Sequence, residues 1–187
     1  MGRIGALKIL LERPDIDVNV ENQKQESPLQ HLLGKGDEAT LRALLQDKRV
    51  DVNRPSKNGR APIHEAIRRN RTIILGMLME DSRINVNSVG HGGWAPLHLA
   101  IRMRNDKAFH MALEHPDINV NAQDESGQTP LHFAVRWEVA HMLVALVKRR
   151  DVKFDLTNIF GRTAFKYAVE SGQVELAQLF PPDAGRV

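Results

Sequence analysis

Histidine is the side chain in this sequence best suited to metal binding or proton transfer near neutral pH. The chain carries eight of them in 187 residues. His110 and His115 are five residues apart, so they do not share a helix face as paired ligands would. Glu138-Val139-Ala140-His141 has the Glu-x-x-His spacing of di-iron helices, but no second copy or facing carboxylate pair accompanies it. Cysteine is absent, which excludes disulfides, thiolate zinc sites and cysteine nucleophiles. No phosphate-loop, serine-hydrolase or zinc-protease motif occurs. Gly90, Gly92 and Gly93 read as a turn rather than a phosphate cradle, because no strand and long helix flank them. Asn70-Arg71-Thr72 has the form of a glycosylation sequon and reads as chance. Glu65, His91, Glu138 and Glu170 are the nearest acid–base groups, yet they are scattered along the chain. The expectation is no catalytic residue, no metal and no cofactor.

Whatever these residues do, a scaffold must position them. The length suits one or two domains. Apolar residues make up 42%, enough for a core, and no apolar run approaches the ~20 residues of a spanning helix. A net charge of +3 does not demand nucleic acid. No signal peptide is read at Met1, so the expected location is intracellular, cytoplasmic or nuclear.

The scaffold is a repeat. Pro28, Pro62, Pro96 and Pro130 lie 34 residues apart, and Ala164 continues the series. Gly59, Gly93, Gly127 and Gly161 keep the same step, as do Asn19, Asn53, Asn87 and Asn121, and His64, His98 and His132. Within one unit, Gly127 suits a turn, Thr129 an N-cap and Pro130 a first helical position. Leu131, Ala134 and Val135 fall on one helical face. A second apolar helix, Val139 to Val147, follows, then an extended return, Asp151 to Asp155.

Thr129-Pro130-Leu131-His132-Phe133-Ala134 resembles the ankyrin-repeat signature T-P-L-H-x-A. The returns Pro14-Asp15-Ile16-Asp17-Val18-Asn19 and Pro116-Asp117-Ile118-Asn119-Val120-Asn121 are similar to the D-V-N end of that repeat. The resemblance implies an all-α ankyrin-repeat solenoid of stacked helix-turn-helix units with β-hairpin-like finger loops. It would be a single domain: a half repeat at 1–24, repeats at about 25–58, 59–92, 93–126 and 127–160, a C-terminal repeat at 161–180 and a tail at 181–187. It gives His64, His98 and His132 a structural role, hydrogen-bonding backbone between adjacent turns. It lines a concave face with fingers and first helices.

The departures carry information. Ala61 and Ala95 stand where the capping Thr belongs, Gln30 where the His belongs, and Ala164 where the Pro belongs. The column closing the first helix reads Gly36, Asn70, Arg104, Glu138, Gly172, so its middle members tolerate a left-handed conformation least. Ile4 to Leu11 reads as a second helix without its first, which leaves an apolar face uncovered. A segment of a longer array and an evolved half-repeat cap both fit. At the other end, Val174 to Phe180 closes the last unit, Pro181-Pro182 stops it, and Asp183 to Val187 is expected to fray.

Large and charged side chains fall where the family's groove would be. Lys57, Asn58, Arg60, Arg68 and Arg69 come from one unit, and His91, Trp94, Arg102 and Met103 from the next. Glu125, Gln128, Arg136 and Trp137 follow, then Ile159, Phe160, Arg162 and Glu170. Lys and Arg outnumber Asp and Glu there by seven to two, and both tryptophans of the chain are included. Trp and Arg are enriched at binding hot spots. The reading is a non-catalytic protein–protein interaction module whose partner is a protein or peptide, acidic or phosphorylated. Arg68, Arg69, Arg102 and Arg136 would meet its anions, and Trp94 and Trp137 its apolar side chains. Alternatives are an enzyme or enzyme accessory on a repeat scaffold, a spacer within a larger protein, and nucleic-acid binding, against which Glu65, Glu125 and Glu138 argue. No membrane is expected. A monomer is expected, with dimerisation through the incomplete N-terminal unit left open.

Overall fold

The computed structural model describes residues 3–184. The fold is all-α, and the chain divides into two compact units, Met1–His91 and Gly92–Val187. In the first, α1 (Arg3–Leu11) lies against α3 (Glu38–Leu45). There α2 (Pro28–Lys35) pairs with α3, and α4 (Pro62–Arg68) with α5 (Thr72–Met79). The second unit holds three pairs: α6 (Pro96–Arg102) with α7 (Asp106–Glu114), α8 (Pro130–Arg136) with α9 (Ala140–Val147), and α10 (Ala164–Glu170) with α11 (Val174–Ala177). Within each unit first helices stack on first helices: α2 on α4, and α6 on α8 on α10.

The 34-residue columns explain these helices. Pro28, Pro62, Pro96 and Pro130 each open a first helix, preceded by an extended residue as a following proline favours. Each first helix ends in a left-handed residue: Gly36, Asn70, Arg104, Glu138 and Gly172 have φ of 75°, 52°, 50°, 53° and 72°. Just beyond, the amides of Arg71, Asn105, Val139 and Gln173 reach back to Ala66, Ala100, Ala134 and Ala168 at 2.9 Å, the 6→1 bond of a Schellman closure. Those four alanines are fully buried. Around them Ile63, Ile67, Leu75 and Leu78 fill the first unit, and Leu97, Ile101, Phe109, Leu131 and Leu143 the second.

The signature histidines are structural where their partners can be named. His98 Nδ1 accepts the Ala95 amide at 3.1 Å, so its proton sits on Nε2, which donates to the Gln128 carbonyl at 3.0 Å. His132 bridges Thr129 and the Arg162 carbonyl in the same way. Gln30 does this work in the first unit. Its Oε1 accepts the Ser27 amide at 2.9 Å and its Nε2 donates to the Arg54 carbonyl at 3.2 Å. Burial pushes His98 down to about 4 and lowers His132 as well.

Three expectations need correction. Thr129 stands at the N-cap, but its hydroxyl pairs with His132 Nδ1 at 2.9 Å instead of capping the helix amide; Thr163 does cap, accepting from Lys166 N. The C-terminal helix stops at Ala177, and the chain continues in turns to Phe180. Ala184 is held rather than frayed: its amide bonds the Pro181 carbonyl and the residue is buried, while Asp183 is exposed. Residues 185–187 of the expected tail lie outside the described residues. At the other end Ile4, Ile9 and Leu10 of α1 are exposed.

One device was not read from the sequence. Arg49 donates to the carbonyls of Leu11, Arg13 and Pro14, and Arg83 to those of Leu45, Lys48 and Val50. Each guanidinium thus covers the carbonyl end of the preceding second helix, where a cation also suits the helix dipole.

Candidate functional site

The fingers are tight turns, closed by bonds such as Asp124 N to Gln128 O at 2.9 Å and Gly127 N to Asp124 O at 2.9 Å. Among the described residues the only ladder-like contact is the isolated bridge Thr157–Thr163. Gly93, at φ 73°, lets one finger touch the next: a Cβ there would stand 2.8 Å from the Glu125 amide, closer than real side chains come. The Glu125 amide instead donates to the Gly92 carbonyl at 3.1 Å.

That contact sets Trp94 over the second unit's core. Its ring meets buried Phe133 edge-on, centroids 5.6 Å apart at 84°, and Phe133 in turn lies on His98 at 4.7 Å. Arg102, the last residue of α6, places its guanidinium carbon 4.9 Å from the Trp94 ring and 4.9 Å from the Trp137 ring. Arg136, the last residue of α8, lies 5.8 Å from the Trp137 ring as well. The result is a pile, Trp94–Arg102–Trp137–Arg136, built from two successive repeats. Both indoles are half-buried and both arginines exposed. Among the described residues no carboxylate pairs with Arg102 or Arg136, and neither donates a hydrogen bond. Trp137 is held further by Arg104, which donates to its carbonyl at 2.7 Å. The Trp137 indole nitrogen is buried without an acceptor among the described residues, which costs about 1–3 kcal/mol.

The first unit arranges its basic residues differently. Lys57, Arg60, Arg68 and Arg69 line a cavity of about 120 Å³ together with Glu26 and Glu65. Glu65 accepts from Arg68 at 2.7 Å and from Arg69. Those bonds, Arg68's first, hold its carboxyl at about 2, well below the usual carboxylate range. Arg68 and Arg69 therefore already have their anion. Asn58 is exposed beside Lys57.

The remaining expected residues join neither group. Phe160 and Ile159 project from the last finger, 70% and 66% exposed. Arg162 lies 5.9 Å from the Phe160 ring and pairs with Glu170 at 2.5 Å. Met103 is exposed next to Arg102, and His91 is exposed on a short 3-10 turn, His91–Gly93. Gln128 turns its carbonyl to His98, and Glu125 is exposed.

Glu65 and Glu170 are ion-paired, and His141 pairs with Asp106 at 2.7 Å on the surface. Among the described residues no group of three or more His, Asp or Glu could hold a metal ion. Arg104 and the counter-ion role of Glu65 were not anticipated. The second was legible, since Glu65, Arg68 and Arg69 stand at i, i+3 and i+4; the first depends on how α6 sits on α8.

The chain belongs to the ankyrin repeat family: the family model for ankyrin repeats (3 copies) matches residues 2–90 and 97–184. The crystal structure of the ankyrin repeat protein EF0377 is similar in fold, with a TM-score of 0.79 at 20% identity over 95% of this chain and 90% of that one. No curated protein matches the sequence. Ankyrin repeats are generally protein–protein interaction modules. Among the described residues no helix is long and apolar enough to cross a membrane.

Proposed function

We propose that the protein is a non-catalytic interaction module that seats an acidic or phosphorylated segment of an intracellular partner protein on its finger-and-first-helix face, at the tryptophan-bearing part. The supporting observation is the pile itself. Arg102 and Arg136 are exposed and have no carboxylate partner among the described residues, while Arg68, Arg69 and Arg162 already have theirs. Cation–π contact of this kind contributes ~0.5–2 kcal/mol and leaves the guanidinium edge free to donate. An interface centred on Trp and Arg suits the usual composition of hot spots. Lys57 and Arg60 offer a second, smaller basic patch in the first unit.

The test is affinity capture by the full chain, compared with a Trp94→Ala, Trp137→Ala, Arg102→Ala variant of equal helicity and read by mass spectrometry. The expected result is a protein recovered by the wild type alone and released by an acidic peptide. Equal recovery by both proteins would remove the site from this face.

A further inference from the structure

We infer that Arg102 is a pre-organised fork for a single partner carboxylate, an Asp or Glu side chain, and that Trp94 and Trp137 act on Arg102 rather than on the partner. This rests on the function proposed above and narrows it. The guanidinium carbon lies over two indole rings, 4.9 Å from each centroid. Two rings hold its place, and its N–H donors remain for a ligand. None of those donors is used by another described residue. A guanidinium edge binds a carboxylate through two parallel hydrogen bonds in one plane.

Charge favours the same ligand. The finger contact brings the Glu125 side chain to the finger of Trp94: its Cγ would lie 3.2 Å from a Cβ built on Gly93. A neighbouring carboxylate repels a doubly charged phosphate more than a singly charged carboxylate. Ordering is already in place. Trp94 leans on Phe133, Trp137 is tied by Arg104, and Arg102 lies over both indoles, so less side-chain freedom is lost when the ligand arrives.

The test titrates the full chain with a short acetylated peptide alternating Glu and Gly, with its Gln counterpart, and with a phosphoserine–Gly peptide. NMR follows the Arg102 Nε–H and the two indole N–H signals, the only two in the protein. The expected result is a downfield shift of Arg102 Nε–H with the Glu peptide and none with the Gln peptide. Arg102→Lys, which keeps the charge but not the fork, should weaken binding roughly tenfold or more. Trp94→Phe and Trp137→Phe, which keep a ring at each position, should weaken it less. Undiminished binding by Arg102→Lys would overturn the inference and leave the acidic-partner reading standing. A phosphoserine peptide held more than about tenfold tighter would replace carboxylate by phosphate. Failure of every acidic peptide to bind the wild type would bring down both the inference and the proposed function.

Discussion

Arg68 and Arg102 occupy the same position of successive repeats, each closing a first helix, and their surroundings differ by a few residues. Three positions before Arg68 stands Glu65; three before Arg102 stands Leu99, and three before Arg136 stands Phe133. Eight positions before Arg68 stands Arg60, and eight before Arg102 stands Trp94. In the first unit the guanidinium turns back to Glu65 at 2.7 Å, and in the second it lies over two indoles. An ion pair consumes the donors of an arginine, whereas an aromatic pair fixes its position and leaves them free. One backbone thus presents a satisfied arginine in one unit and an available one in the other, by exchanging its neighbours.

The comparison assumes equivalent supports beneath the two faces, and core truncation tests that with the largest expected effect. Ile63, Leu97 and Leu131 share a column and are fully buried. Ile63→Ala, Leu97→Ala and Leu131→Ala should each cost ~2–5 kcal/mol in urea denaturation. An unchanged midpoint for any one of them would show that the columns are not equivalent.

The next effect is a difference in acid sensitivity. His98 has its pKa pushed down by burial from 6.5 to about 4, so it is neutral when folded and protonates more readily when unfolded. Its contribution is complete above pH 6.5 and is lost as pH falls toward 4, on the order of 3 kcal/mol in all. His98→Gln should flatten that limb, because Gln30 shows that an amide can make the same pair of bonds. A limb that survives the substitution would place the titration elsewhere. Glu65 titrates in a lower window. Its carboxyl is held near 2 instead of 4.5, so its stabilisation is present above 4.5 and lost toward 2. Glu65→Gln should remove that lower limb at a cost of ~1 kcal/mol or less at neutral pH, as for other part-exposed ion pairs. It should also free Arg68 and Arg69 for an added anion. If glutamate binding by the first unit stays unchanged, Glu65 is not what occupies them.

The fold was legible because helix starts, helix stops and finger turns all recur at one spacing, so each column supports the others. The arginine collars escaped for the opposite reason. Arg49 and Arg83 pair with Asp47 and Asp81, but the repeat at about 127–160 reverses the order, with Arg149 paired to Asp151. Arg149 still reaches the preceding second helix, at the Leu113 carbonyl. Charge identity swaps between two columns while the interaction persists, so neither column reads as constant. For the site, sequence showed that Trp94 and Trp137 miss the core columns. It could not show what they touch, since the pile joins Trp94 and Arg102 of one repeat to Trp137 of the next.

The smallest expected effect separates the caps of α6 and α8. Ala95 is the N-cap of α6 and offers no side-chain bond, whereas Thr129, at the N-cap of α8, turns its hydroxyl to His132 Nδ1 at 2.9 Å. His98 Nδ1 already accepts the Ala95 amide. A hydroxyl at position 95 can therefore either share Nδ1, as Thr129 does, or take up a free amide of the first turn, as Thr163 does at 3.2 Å. Ala95→Thr should stabilise by several tenths to ~1 kcal/mol in either case, toward the upper end if it caps as Thr163 does. Thermal denaturation measures the gain. The His98 Nδ1 chemical shift tells the two geometries apart, because only a shared nitrogen feels the new hydroxyl. A loss of stability would mean that the site is too tightly packed for the extra atoms. The cap would then have been given up to seat Trp94, the next residue back, against Phe133.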